Sequence, residues 1–209
     1  MVDTARLVLS YVKTFIWPAL VLYVLLRYRR ELGDVIVRLK GLRTAAVSFE
    51  FAEEARTLLD QAGEAAEVPV PARERRGALR RLEHAKDLLQ GGKVLWVDDH
   101  PEGNVALTAL LRSVGMEVDP VNSTGEALAS LQRHSYDVIL TDIGRAGDAQ
   151  AGINMMQDLD RLGIDTPVVI YTLGFDYGRG FPRRAFAVTE VPDQLVHYVI
   201  DLMERVRFG

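Results

Sequence analysis

Three short apolar runs constrain this chain most, because each ends in oxygen-bearing side chains. KVLWVDD at 93–99 ends in Asp98 and Asp99. YDVILTD at 136–142 ends in Asp142, and PVVIYT at 167–172 ends in Thr172. The runs are apolar on both alternating faces, as strands buried in a parallel sheet are. Parallel sheets gather their ligand sites just outside the carboxyl ends of the strands. The pattern therefore predicts three carboxylates and a hydroxyl on one rim. Neighbouring carboxylates repel one another and favour a cation among them. An all-oxygen donor set suits a hard divalent ion such as Mg²⁺.

Around these runs the periodicity alternates. Strands are expected at 93–97, 116–120, 137–141, 166–171 and, more weakly, 185–189. Helical patterns fall at 104–115, 125–134, 152–162 and 193–206. Ser123 or Thr124 is the expected cap of the second helix. Strands separated by helices predict an open, doubly wound α/β domain over 93–209. One crossover departs from the pattern. LGFDYGRGFPRR at 173–184 is rich in glycine and aromatics, so a loop is expected there.

Charge is divided unevenly. Residues 1–92 carry 15 Lys/Arg against 12 Asp/Glu, a formal +3, and residues 93–209 carry 10 against 17, a formal −7. An acidic carboxyl half lacks the clustered basic side chains that nucleic acid requires, so no nucleic-acid partner is expected. Cysteine is absent, which removes disulfides, thiol catalysis and zinc-thiolate sites. His84, His100, His134 and His197 show no metal-ligand spacing. Neither GxGxxG nor GxxxxGK[ST] occurs, so nothing points to a nucleotide.

The amino-terminal part reads differently. LVLSYVKTFIWPALVLYVLL at 7–26 has the length of a membrane-spanning helix, with Lys13 its only full charge. Arg27, Arg29 and Arg30 follow it, and basic flanks favour the cytoplasmic side. A single-pass anchor with the carboxyl-terminal domain in the cytoplasm is expected over 1–30. A signal peptide would need a basic amino region and a small-residue cleavage site, and a helix buried in a soluble domain is the plainer alternative. Residues 31–92 form a helical juxtamembrane linker in this reading. GEAAEVPVP at 63–71 breaks it, and 31–90 is a candidate for pairing two copies of the chain.

The run-end motifs VLWVDD, YDVILTD and PVVIYT resemble, in that order, the receiver domain of two-component response regulators. WVDDHPEGN, with DIGR and VIYT, is most similar to a divergent, membrane-associated branch of that family. The resemblance covers roughly 93–207. It implies a five-stranded parallel sheet of flavodoxin-like order 2-1-3-4-5. It also implies that Asp142 accepts a phosphoryl group from a histidine kinase. Asp99 would bind Mg²⁺ directly, Asp98 would assist through water or by direct contact, and the Gly144 carbonyl would add a ligand. Thr172 would bond a phosphoryl oxygen.

Three departures accompany the resemblance. Receivers carry a lysine at the end of the fifth strand, yet no lysine occurs from Val94 to Gly209. Thr189, Glu190 or Val191 stands in its place. Arg145 is the expected phosphate-binding substitute, with Arg183 and Arg184 weaker ones. The loop GRAGDAQAG after Asp142 is longer than the family's turn and lacks its proline. Phe186 stands at the aromatic position of the fifth strand. Two functions follow: a phosphorylatable receiver at the membrane, or a pseudo-receiver that acts there as a protein-interaction adaptor. A small Mg²⁺-dependent phosphatase is weaker, since His100 alone offers a general acid or base near the carboxylates.

Overall fold

The structure, a computed structural model, describes residues 16–18, 20, 22, 23, 27, 49–145, 147–175, 178 and 180–209. The chain divides into two units, Met1–Glu50 and Phe51–Gly209. In the first, the described residues are helical, and Ile16, Trp17, Leu20, Leu22 and Tyr23 are exposed. Most of the expected span at 7–26, and all of 31–48, lies outside the described residues. Among the described residues no helix is long and apolar enough to cross a membrane.

The second unit is built on β1 (Lys93–Val97), β2 (Glu117–Val121), β3 (Val138–Thr141), β4 (Val168–Tyr171) and β5 (Ala185–Thr189). They form one parallel sheet in the order β2-β1-β3-β4-β5. Every expected strand from 93 onward forms, β1 and β5 with the expected bounds and the others with boundaries moved by one or two residues. Each apolar run supplies both faces of the sheet. Val94 and Trp96 face one core cluster, while Leu95 and Val97 face the other.

The helices are α1 (residues 51–65), α2 (Ala72–His84), α3 (Lys86–Leu89), α4 (Val105–Ser113), α5 (Thr124–Leu131), α6 (Ala151–Arg161) and α7 (Pro192–Phe208). Ser123 caps α5 by accepting from the Glu126 N–H. No α-helix forms among the described residues of 173–184, as the glycines there anticipate. Met155, Met156 and Leu159 of α6 fill one face of the sheet. The other face holds Leu107, Leu110 and Leu111 of α4, with Val196, Val199 and Ile200 of α7.

The helices expected as a linker are built into that second face. Ala55, Leu59 and Ala62 of α1, Ala78 and Leu82 of α2, and Leu89 of α3 share the core of α4 and α7. Leu59, Leu82 and Leu89 are fully buried. Removing each from water is worth roughly 1.5–3 kcal/mol, so residues 51–89 belong to the packed unit. Polar contacts reinforce the seam between α2 and α7. Arg75 Nε stands 2.9 Å from Asp193, Arg81 pairs with Asp201, and Arg207 donates to the Gln90 carbonyl at 2.7 Å.

Helices α1 and α4 end in the same hydrogen-bonded turn, as α6 does at Gly163, but with different residues at its left-handed position. After α4, Gly115 N–H reaches Arg112 O and Met116 N–H reaches Leu111 O, with Gly115 at φ 85°. After α1, Glu67 N–H reaches Glu64 O and Val68 N–H reaches Gly63 O, with Glu67 at φ 54°. Glycine adopts that conformation freely, whereas glutamate does so under strain. The expected break at 63–71 thus begins as a helix end under strain, two residues into the segment.

Candidate functional site

Register brings the acidic run-ends together. β1 and β3 are paired from Val94↔Val138 to Val97↔Thr141, so Asp98 and Asp142 leave adjacent strands at the same level. The Asp142 N–H donates to the Val97 carbonyl at 3.2 Å, extending the ladder to Asp142 itself. Asp98, Asp142 and Thr172 line one cleft of about 260 Å³, with Asn104 and Tyr171 on its walls. Asp99 stands beside it. Its carboxylate, that of Asp98 and the His100 ring have ligand atoms within 4.8 Å of one another.

Each carboxylate is oriented by nearby donors. Asp98 accepts from the Asn104 side-chain amide at 2.6 Å and the His100 N–H at 2.8 Å. Asp142 Oδ1 accepts from the Ile143 N–H at 2.6 Å. A carboxylate offers about four lone-pair positions, so these bonds leave acceptor capacity. Asp98, Asp99 and His100 are the residues whose ligand atoms cluster, while Asp142 shares the cleft with Asp98 and Gly144 lines an adjoining pocket with Asp142 and Thr172. Carboxylate oxygens are the donors that suit a hard divalent cation. His100 is exposed, with Nδ1 3.1 Å from Asp99. Its hydrogen bond to that carboxylate raises the imidazole pKa above the ordinary 6.5.

Arg145 takes a different place from the one expected. Its side chain does not lie over the cleft but turns inward and is 4% exposed. Nη1 donates to the Val97 and Asp142 carbonyls, at 3.3 and 3.0 Å, and to the Thr141 hydroxyl. Nη2 donates to the Thr124 hydroxyl at 3.0 Å. Carbonyls and hydroxyls beneath the rim thus offer the guanidinium more partners than the open cleft does. Burial lowers its pKa, while Asp142, Asp98 and Asp99 pull it upward. Guanidinium remains charged, so Arg145 is a fixed countercharge under the acidic rim.

The substitutes for lysine resolve individually. Thr189 is buried, and its hydroxyl binds Gln194 Oε1 at 2.8 Å. Glu190 accepts from the Gly174 N–H at 3.1 Å and ties the end of β5 to the turn after β4. Arg184 donates to the carbonyls of Ile164 and Thr166, ahead of β4, and so sits at the opposite end of the sheet. Phe186 packs edge-on against Tyr198, with centroids 6.1 Å apart and the Arg205 guanidinium over its ring.

Sequence reasoning missed three parts of this site. Asn104 holds Asp98, and its only sequence signal is its place in the DDHPEGN run. Gly152 lets the start of α6 approach the loop after β3: a Cβ there would stand 2.3 Å from the Asp142 carbonyl oxygen. Ala65 and Ala66, at the end of α1, line the acidic cleft itself. Two alanines ahead of a proline-containing break carry no signal of such a role.

Residues 94–177 match the response regulator receiver domain family. No curated protein matches the chain in sequence. Among solved structures, the chain is similar to the response regulator protein TrrA of Thermotoga maritima, solved in complex with Mg²⁺ and BeF. The identity is 23%, the TM-score 0.47, and 53% of this chain and 98% of that one are covered. The receiver domain of the Francisella response regulator 1452 is 24% identical, with a TM-score of 0.49 and coverage of 56% and 99%. A response regulator receiver domain protein of Clostridium thermocellum is 22% identical, with a TM-score of 0.48 and coverage of 56% and 97%. The order of the sheet, the acidic rim at its strand ends and the family match together identify residues 94–177 as a response regulator receiver domain.

Proposed function

We propose that this protein is a membrane-tethered signalling receiver in which Asp142 accepts a phosphoryl group. The carrying observation is the single cleft that holds Asp98, Asp142 and Thr172. Asp98, Asp99, Asp142 and the Gly144 carbonyl would hold Mg²⁺. A cation bound there neutralises charge on the phosphoryl oxygens. An Asp142 carboxylate oxygen attacks phosphorus, the bond to the donor's imidazole nitrogen breaks with its electron pair staying on nitrogen, and an acyl phosphate forms. The Thr172 hydroxyl donates to a phosphoryl oxygen. Arg145 keeps the ends of β1 and β3 in register from below and offsets part of the carboxylate repulsion. The partner chemistry is that of a histidine kinase. The signal leaves as changed protein contacts.

The exposed apolar residues at 16–23 support tethering through the segment 7–26. Alkaline extraction of membranes tests it: the full chain stays with the lipid, and its appearance in the soluble fraction defeats the anchor.

A second reading has its own observation. At the end of β5, where receivers carry lysine, Thr189 is buried and Glu190 is tied to Gly174. A pseudo-receiver that serves as an adaptor at the membrane needs no ammonium there. Incubation with acetyl phosphate and Mg²⁺, read by intact mass, separates the two. A phosphoryl adduct on the wild type that Asp142→Asn lacks supports the acceptor. No adduct on either chain leaves the adaptor.

A further inference from the structure

We propose that the carboxyl end of α1 is a working wall of the acidic cleft. The charge held in the cleft and the docking of residues 51–89 then control each other. This rests on the cleft described above through its charge alone and needs no phosphoryl transfer.

Ala65 and Ala66 line the same space as Asp98 and Asp142. Ala65 is the last residue of α1 and Ala66 the first residue of the turn after it. A helix carries roughly half a negative charge at its carboxyl end, from carbonyls no longer paired within it. Ala65 and Ala66 put that end at the wall of a space that Asp98 and Asp142 also line, so the two repel, and any positive charge entering the cleft draws them together. The wall is also held under tension. Glu67 takes φ 54°, a left-handed conformation that favours glycine.

Arg75 supplies the opposing brace. Its Nη1 binds Asp60 of α1 at 2.7 Å, and its Nε stands 2.9 Å from Asp193 at the start of α7. A Cβ on Gly63 would come within 3.0 Å of Arg75 Nη2, so the guanidinium lies directly behind the turn that forms the wall. A strained turn and a repelled helix end work against the Arg75 brace and the buried Leu59, so the charge in the cleft shifts the balance between them. Linkage requires reciprocity: whatever the cleft binds better with α1 docked must strengthen that docking in turn.

Amide hydrogen exchange at 62–68 in the full chain at low salt is the test. Asp142→Asn, or Asp98→Asn where the first variant does not fold, should slow exchange there by roughly two- to five-fold. Mg²⁺ added to the wild type should do the same, and Arg75→Met should weaken Mg²⁺ binding by a similar factor. Unchanged exchange in the carboxylate variant overturns the wall. Slowed exchange in that variant with no Mg²⁺ response anywhere keeps the wall and removes the cation from the proposed function. Mg²⁺ shifts at Trp96 and Asp142, with 62–68 unmoved in wild type and variant, keep the cation and remove the wall.

Discussion

The two faces of the sheet are covered in different ways. On one face α5 and α6 provide an ordinary single layer, centred on Met155, Met156 and Leu159. On the other, α4 and α7 are themselves overlaid by α1, α2 and α3, which bring Leu59, Leu82 and Leu89 into the same core. The family match begins at 94 and so leaves out the whole added layer. The difference teaches that family boundaries and folding boundaries need not coincide. The unit that buries apolar surface here starts near 51, and the added layer also reaches the site, through Ala65 and Ala66.

The sharpest way to break this comparison is at the brace. Arg75→Met leaves Asp193, 1% exposed, without its ion-pair partner. Removing one member of a buried pair typically costs about 3–5 kcal/mol, and urea unfolding near neutral pH should show a loss of that order. Burial already raises the Asp193 pKa above its ordinary 3.8, while Arg75 pulls it down. A raised carboxyl pKa means that the folded state holds its proton more tightly. Its contribution to stability is complete below the unfolded value and is lost as pH rises through the folded one. The deficit of Arg75→Met should therefore shrink as pH falls toward 4. A deficit independent of pH would point to lost packing instead.

Next in size is a matched pair of cavities. Leu59→Ala in the added layer and Leu159→Ala on the opposite face both remove fully buried side chains. Each should cost about 2–5 kcal/mol in a single cooperative transition. A loss below about 0.5 kcal/mol for Leu59→Ala, in the range of ordinary surface changes, would return residues 51–89 to the role of a linker.

The smallest effect tests the two helix ends against each other. Glu67→Gly gives the turn after α1 the residue that Gly115 already provides after α4. Relief of the left-handed strain should stabilise the unit by about 1 kcal/mol, partly offset by the freedom glycine gains when unfolded. A shift in thermal midpoint checks it, and destabilisation would show that the φ of Glu67 stores no strain.

Much of the site was legible because its signals are local. An apolar run of strand length followed by aspartate states both where a strand ends and what it delivers. VLWVDD, YDVILTD and PVVIYT did so without any knowledge of their neighbours. A cap at Ser123 or Thr124 was recognisable for the same reason, and Ser123 fills it. The Arg145 side chain was not legible, because its direction depends on acceptors from three separate places: Val97, Thr124 and the neighbours Thr141 and Asp142. Gly152 and Asn104 escaped similarly, since each matters only for what stands against it in space.

The sequence by itself determined the alternation of strands and helices from 93 onward and the acidic ends of β1 and β3. Periodicity and run length are properties of a segment alone. Only the tertiary structure decided that 51–89 is core, that Arg145 lies beneath the rim, that Glu190 answers to Gly174, and that two alanines line the cleft. Those outcomes depend on which distant surfaces meet, because burial and hydrogen-bond satisfaction are settled between segments, not within them.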